Sequence, residues 1–256
     1  MSGLLELRNV SAGYTVSRNY RSKTILHNID LSVREGELLV LAGPNGSGKT
    51  TLLKCAGGLL PPLEGSVIIN GKEIRRLKPR ERAALTAFLF QVRDNPWPFT
   101  VRETIAQGLF ARRGWLGAES KSDRETVNVA LQKADLTALA ERKITELSGG
   151  ELQRVYIARC IAQGAAFLIL DEPENNLDPK YSYMVLTLLS ELVKEGRGVI
   201  VSLHDLRLAA RFATRIALLS NDGNISVLGT PAEVLNEENL GRVYDLTPEL
   251  VRSLVL

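Results

Sequence analysis

The sequence predicts an α/β protein: a parallel sheet flanked by helices, with an antiparallel β subdomain near the N-terminal side and a helical subdomain inserted into the core. Three observations carry this expectation. Leu38–Ala42 is a continuous apolar run, as a strand buried on both faces requires, and residues 167–170 and 198–203 read as two more buried strands. A helical pattern over residues 179–195 separates the last two runs, and strands that alternate with helices build parallel sheets. The stretch from about 94 to 162 reads as helical throughout and interrupts the alternation.

Taken in order, residues 4–10 and 29–33 alternate apolar and polar. Both are predicted to be half-exposed strands of an antiparallel sheet. Leu38–Ala42 leads into Gly43-Pro44-Asn45-Gly46-Ser47-Gly48-Lys49-Thr50, and a helix is expected from about Gly48 to Gly57. Residues 85–90 read as a strand closed by Gln91. The helical insert has breaks near residues 114–117 and 135–137. Residues 215–219 and 225–228 form a final strand pair around Asn221-Asp222-Gly223, a turn sequence. No repeat, low-complexity tract or long coiled coil divides the chain, so residues 1–256 are read as one domain. The basic residues Arg18, Arg21 and Lys23 are read as a solvated loop.

With 256 residues, 45% of them hydrophobic and 24% charged, the chain can bury a substantial core. A net charge of +3 gives no reason to expect nucleic acid as a partner. Cys55 and Cys160, the two cysteines, sit in apolar helical patterns. They read as buried small hydrophobes in a reducing compartment, not as a disulfide. No apolar run has the length of a membrane span, and Met1-Ser2-Gly3-Leu4-Leu5-Glu6 lacks the basic start of a signal peptide. The expected location is the cytoplasm, with any role at a membrane exerted through another chain.

Two segments carry phosphate chemistry. Residues 43–50 fit G-x-x-x-x-G-K-[ST], whose backbone N–H groups wrap phosphates at the start of a helix. Leu147-Ser148-Gly149-Gly150-Glu151 opens a helix in the insert. Ser148 and Glu151 have the spacing of a capping box, and such a helix start also presents bare N–H groups and a hydroxyl to an anion. Asp171 and Glu172 end a buried strand, where a carboxylate needs a partner or a metal. His204 follows another buried strand, while His27 has no such context and is read as a surface or packing residue.

The order of these segments, from about Leu4 to Leu246, resembles the ATP-binding-cassette (ABC) ATPases. The resemblance implies ATP and Mg²⁺ as cofactors and assigns roles residue by residue. Lys49 reaches the β- and γ-phosphates, and Gly43, Pro44, Asn45, Gly46, Ser47, Gly48, Thr50 and Thr51 complete the phosphate loop. Thr50, Asp171 and Gln91, a glutamine linking core and insert, hold Mg²⁺. Glu172 polarises the attacking water and His204 contacts the γ-phosphate. Tyr14 stacks on adenine, with Tyr20 as a rival. Ser148, Gly149, Gly150 and Glu151 bind the γ-phosphate held by a second copy of the chain, and Asp178 lies in a loop that crosses the dimer interface. Glu174-Asn175-Asn176 departs from the small or Thr/Ser residues commoner at these positions in the family, which leaves the local contacts open.

The resemblance further implies a homodimer with ATP sandwiched at its interface, peripheral on the inner face of the cell membrane. There it would drive integral membrane permease subunits, with a substrate-binding protein as a further partner. Residues 228–235 and 240–244 look like the tail of importers for iron–siderophores, haem and cobalamin. A soluble ABC ATPase uncoupled from transport, such as the iron–sulfur assembly type, is the alternative. Trp97 and Phe99, on a proline-bounded loop after Gln91, either pack under the insert or help line a groove for the membrane subunit.

Overall fold

The structure, a computed structural model, describes residues 3–16, 21–90, 97–110, 119–175, 177–247 and 249–251. The chain runs β1 (Leu4–Val16), β2 (Arg21–Arg34), β3 (Leu38–Ala42), α1 (Lys49–Ala56), β4 (Glu64–Ile69), β5 (Lys72–Glu73), α2 (Pro79–Leu85) and β6 (Thr86–Leu89). It continues with α3 (Val101–Ala106), α4 (Lys121–Lys133), α5 (Gly149–Gln163), β7 (Phe167–Asp171), α6 (Pro179–Lys194) and β8 (Gly198–Ser202). The last elements are α7 (Leu206–Phe212), β9 (Arg215–Leu219), β10 (Ile225–Gly229), α8 (Pro231–Val234) and α9 (Glu237–Tyr244). A four-stranded antiparallel sheet has the order β2-β1-β4-β5, and a six-stranded sheet has the order β10-β9-β3-β8-β7-β6. In the larger sheet β6, β7, β8, β3 and β9 run parallel and only β10 is antiparallel. The predicted fold class is borne out.

Side chains alternate across a strand, so a strand buried on both faces feeds two cores. Leu38, Val40, Leu168, Leu170, Val199, Val201, Ile216 and Leu218 face the helices. Their neighbours Leu39, Leu41, Phe167, Ile169, Ile200, Ala217 and Leu219 face α1 and the antiparallel sheet. Each core holds one cysteine, Cys160 in the first and Cys55 in the second. Burial pushes the Cys55 thiol up to about 12 and the Cys160 thiol up to about 11. The Cys160 thiol donates to the Phe88 carbonyl at 3.2 Å.

The antiparallel strands are longer than the alternation suggests. Asn9 and Asn28 take the left-handed backbone (φ 49° and 48°), a conformation asparagine tolerates, and the β1–β2 register shifts beside them. Asp30 accepts from the Asn9 N–H at 2.9 Å and Ser11 Oγ from the Asn28 N–H at 3.3 Å, so the irregularities keep their donors satisfied. The inner strand β4 and the edge strand β5 are not anticipated by the sequence. β4 is half exposed and β5 is two residues long, so neither gives a strong apolar signal.

The insert differs from a continuous helical stretch. Between α4 and α5 the chain makes only short 3₁₀ turns, at Thr137–Leu139 and Ile144–Glu146. Asp135 is left-handed (φ 53°) and ends α4. Arg154 of α5 reaches back with Nη1 to the carbonyls of Ala134 and Asp135, each at 3.0 Å. That bond pair fixes the start of the connection against α5. No helix among the described residues is long and apolar enough to cross a membrane.

A Cβ at Gly198 would lie 2.4 Å from the ring of fully buried Phe167 and 3.0 Å from the Arg34 carbonyl. Gly198→Ala is therefore expected to overpack the second core and cost about 1–3 kcal/mol. Thermal unfolding should show it as a Tm lowered by roughly 2–4 °C per kcal/mol. An unchanged Tm would mean that the β7–β8 pair can repack around an extra methyl.

Candidate active site

Adjacent parallel strands end at the same edge of the larger sheet, and the residues singled out in the sequence follow those ends. The glycine-rich loop follows β3, Asp171 closes β7, and Ser202 closes β8 directly opposite Asp171 in the register. This is where open α/β sheets place their ligands.

Gly43 (φ 145°) lies so close to the end of β9 that a Cβ would come within 2.4 Å of the Leu219 carbonyl. Gly48 is left-handed (φ 100°) and caps α1 without any side chain. The first turn of α1 contains no acidic residue, so its N–H groups and dipole stay available to an anion. Lys49 is buried, 5% exposed, and its ammonium donates to the carbonyls of Gly43 and Pro44 at 2.7 and 3.0 Å. Burial lowers its pKa, while Glu172, Asp171 and Glu174 act in the opposite sense. Phosphate oxygens would replace neutral carbonyls with charged acceptors, a stronger bond for an ammonium. The buried Ser47 hydroxyl has no hydrogen-bond partner among the described residues.

Ser202 joins the two acidic positions. Its hydroxyl donates to Asp171 Oδ1 at 2.7 Å and accepts from the Glu172 N–H at 2.9 Å. Glu172 is left-handed (φ 49°), a costly backbone for a residue with a Cβ, and one that often marks functional sites. Its Oε1 lies 2.6 Å from His204 Nε2, and its Oε2 accepts from Asn175 Nδ2 at 3.2 Å. Glu174 accepts from the His204 N–H through Oε1 at 2.9 Å. Desolvation raises the Glu174 pKa, opposed by the bond from His204.

Among the predicted site residues, the structure thus brings together the loop 43–51, Asp171, Glu172 and His204. Tyr14 lies to one side, half exposed, with Lys54 of α1 5.6 Å from its ring centroid and 3.4 Å from its hydroxyl. Gln91 and Tyr20 lie outside the described residues. Asp178 caps α6 at the surface. Ser148–Glu151 stands apart: among the described residues no hydrogen bond or ion pair joins it to the glycine-rich loop. Its capping box is complete. Glu151 Oε2 accepts from the Ser148 N–H and hydroxyl at 2.8 Å each, and these bonds hold the Glu151 carboxyl below its ordinary range. Gly149 and Ser148 remain exposed at the surface.

The sequence reading missed Ser202 and left the contacts of Glu174 open. Ser202 had a signal, being the one hydroxyl that ends an otherwise apolar run. Tyr244 of α9 also went unassigned; burial raises its pKa, opposed by the Gly43 backbone of the glycine-rich loop.

Comparisons with known proteins agree with this geometry. The profile of the family described as ABC transporter matches residues 26–175. The chain is 40% identical over 233 residues to the achromobactin transport ATP-binding protein CbrD of Dickeya dadantii (strain 3937), covering 91% of this chain and 86% of that protein. It is 37% identical over 237 residues to the hemin import ATP-binding protein HmuV of Rhizobium meliloti (strain 1021), covering 90% and 88%. Among solved structures, the dimeric post-hydrolysis state of the ATP-binding cassette MJ0796 bound to ADP and Pi superposes with a TM-score of 0.77 at 32% identity, covering 89% of this chain and 98% of that one.

Ser202→Ala removes the donor to Asp171 and the acceptor of the part-buried Glu172 N–H. It should cost about 1–3 kcal/mol, seen as a lowered midpoint in denaturant unfolding with an unchanged slope. An unaffected midpoint would show that the two acids hold their places without the hydroxyl.

Proposed function

Because the chain belongs to the ABC transporter family, we propose that it is the ATP-hydrolysing subunit of a membrane importer for iron-chelate, haem or cobalamin-type substrates. The activity is hydrolysis of ATP to ADP and phosphate. One observation carries the reading: a buried lysine in a phosphate loop lies beside two strand-end carboxylates, the second of which contacts His204 at 2.6 Å. The substrate class rests on the names of the relatives, an achromobactin transporter and a hemin importer. Those names favour transport over the soluble alternative.

In this reading the loop 43–51 and the α1 N-terminus receive the phosphates, and Lys49 leaves the carbonyls of Gly43 and Pro44 for the β- and γ-phosphate oxygens. Glu172 holds the attacking water by accepting its proton, with the water aimed at the γ-phosphorus. His204, whose Nε2 lies beside the Glu172 carboxylate, donates to the γ-phosphate. Tyr14 stacks on adenine, and Lys54 beside it holds the ring.

The acidic end of β7 also fits Mg²⁺. The donors on offer are hard oxygens, from Thr50 and Asp171, with Gln91 as a third. Ser202 occupies only one Asp171 oxygen. Groups of three or more His, Cys, Asp or Glu able to hold a metal are absent among the described residues, as suits an ion shared with phosphates. When bound, Mg²⁺ neutralises charge on the β- and γ-phosphate oxygens.

The separation of Ser148–Glu151 from the phosphate loop supports a shared site. Two copies related by a two-fold axis place each signature helix start on the other's γ-phosphate, an isologous interface. There Ser148 would exchange its Glu151 acceptor for a phosphate oxygen. The membrane partners are permease subunits, with a substrate-binding protein on the outer side, so the chain sits at the inner face of the membrane. Trp97 is 65% exposed and Phe99 40%, which favours a coupling surface over packing beneath the insert.

Glu172→Gln keeps size and hydrogen bonding to His204 but loses the charge that draws off the proton. ATP binding should persist while turnover falls by about 10²–10⁴-fold, and an ATP-stabilised dimer should accumulate on a sizing column. Wild-type turnover would remove Glu172 from the mechanism. Trp97→Ala should leave ATPase activity of the isolated chain within about twofold, since surface changes away from a site have small effects. It should weaken co-purification with the permease. An intact complex together with a lowered Tm would return Trp97 to a packing role.

A further inference from the structure

Beyond the residues the family resemblance names, the ends of β7 and β8 are laced together by a reciprocal pair of bonds. Ser202 sends its hydroxyl from the end of β8 to the Glu172 N–H, 2.9 Å away. Glu174, two residues beyond Glu172, sends its carboxylate back to the N–H of His204, two residues beyond Ser202, at 2.9 Å. Between these two side-chain-to-backbone bonds lies the 2.6 Å contact of Glu172 Oε1 with His204 Nε2. Each side chain of that contact therefore stands on a backbone amide held by the other strand's loop.

The second half of the lacing is chemically odd. Glu174 is 9% exposed, and its Oε2 is buried with no hydrogen-bond partner among the described residues. A buried carboxylate with one unanswered oxygen costs stability. An apolar side chain of similar length would remove that unanswered oxygen but leave the His204 N–H without its acceptor. What the acid does at this position is reach His204.

We propose that Glu174 is a positioning residue for ATP hydrolysis: it fixes the backbone of His204 so that the imidazole meets the Glu172 carboxylate and the γ-phosphate in one arrangement. This rests on the reading of Glu172 and His204 given above. A ring that swings by an ångström loses much of its effect on a transition state while nucleotide binding, made by the loop 43–51, is left alone.

The test is steady-state Mg·ATP hydrolysis by the full chain, with Tm and nucleotide affinity measured for every variant. Glu174→Met keeps the length and removes the acceptor. It should still fold, keep KM for ATP within about twofold and lower kcat about tenfold. Glu174→Gln still offers an oxygen to the His204 N–H and should recover kcat to within about threefold of wild type. In a His204→Ala background Glu174→Met should cause no further loss, since residues acting through one another are not additive. Wild-type kcat in Glu174→Met, no recovery in Glu174→Gln, or a full additional loss in the double variant would each overturn the proposal. Wild-type kcat in His204→Ala alone would instead strike the role given to His204.

Discussion

A buried ammonium, Lys49, loses stability as a charge by its burial, and the carboxylates of Glu172, Asp171 and Glu174 act to restore it. The surrounding architecture follows from keeping them together. Only parallel strands bring several chain segments to one edge with their ends aligned. β3, β7 and β8 do so, and their interiors are apolar on both faces, which leaves the strand ends as the first positions where polar groups gather. The loop glycines then let the backbone come near enough for Lys49 to curl back onto Gly43 and Pro44.

The same crowding explains where strain is located. Glu172 takes a left-handed backbone, and its N–H is held by a hydroxyl from the neighbouring strand. A left-handed non-glycine residue costs about 1–2 kcal/mol, and a buried hydrogen bond of ordinary strength returns a comparable amount. The helix start at Ser148–Glu151, proposed to meet a partner copy's phosphate, faces no such crowding. Ser148 and Glu151 satisfy each other at an exposed helix start, so that surface is stable alone and needs only a small exchange of partners to engage a phosphate.

Much of this was legible in the sequence. β3, α1 and β9 lie where the apolar runs and the glycine loop put them, because strands buried on both faces and a phosphate loop have strong, local signatures. The residues that follow the strand ends were legible for the same reason. The failures have physical causes as well. β1 and β2 run past their alternation because Asn9 and Asn28 absorb register shifts that break the period of two. The half-exposed β4 and the short β5 carry little apolar signal. Between α4 and α5, helix-forming composition yields to the left-handed Asp135 and the tether from Arg154, a tertiary contact invisible to local propensity. Ser202 and Glu174 act across strands, and sequence spacing alone does not say which strand ends are neighbours.

The placement of the two cysteines has a use of its own. Each core holds one thiol, and both are buried: Cys55 is 0% and Cys160 4% exposed. With thiols pushed up to about 12 and about 11, the thiolate fraction at neutral pH is roughly one part in 10⁵ and one in 10⁴. Alkylation must then wait for the surrounding core to open. The native chain thereby carries two built-in clocks, one on each face of its central sheet, and the ratio of their labelling rates reports which half of the molecule breathes first.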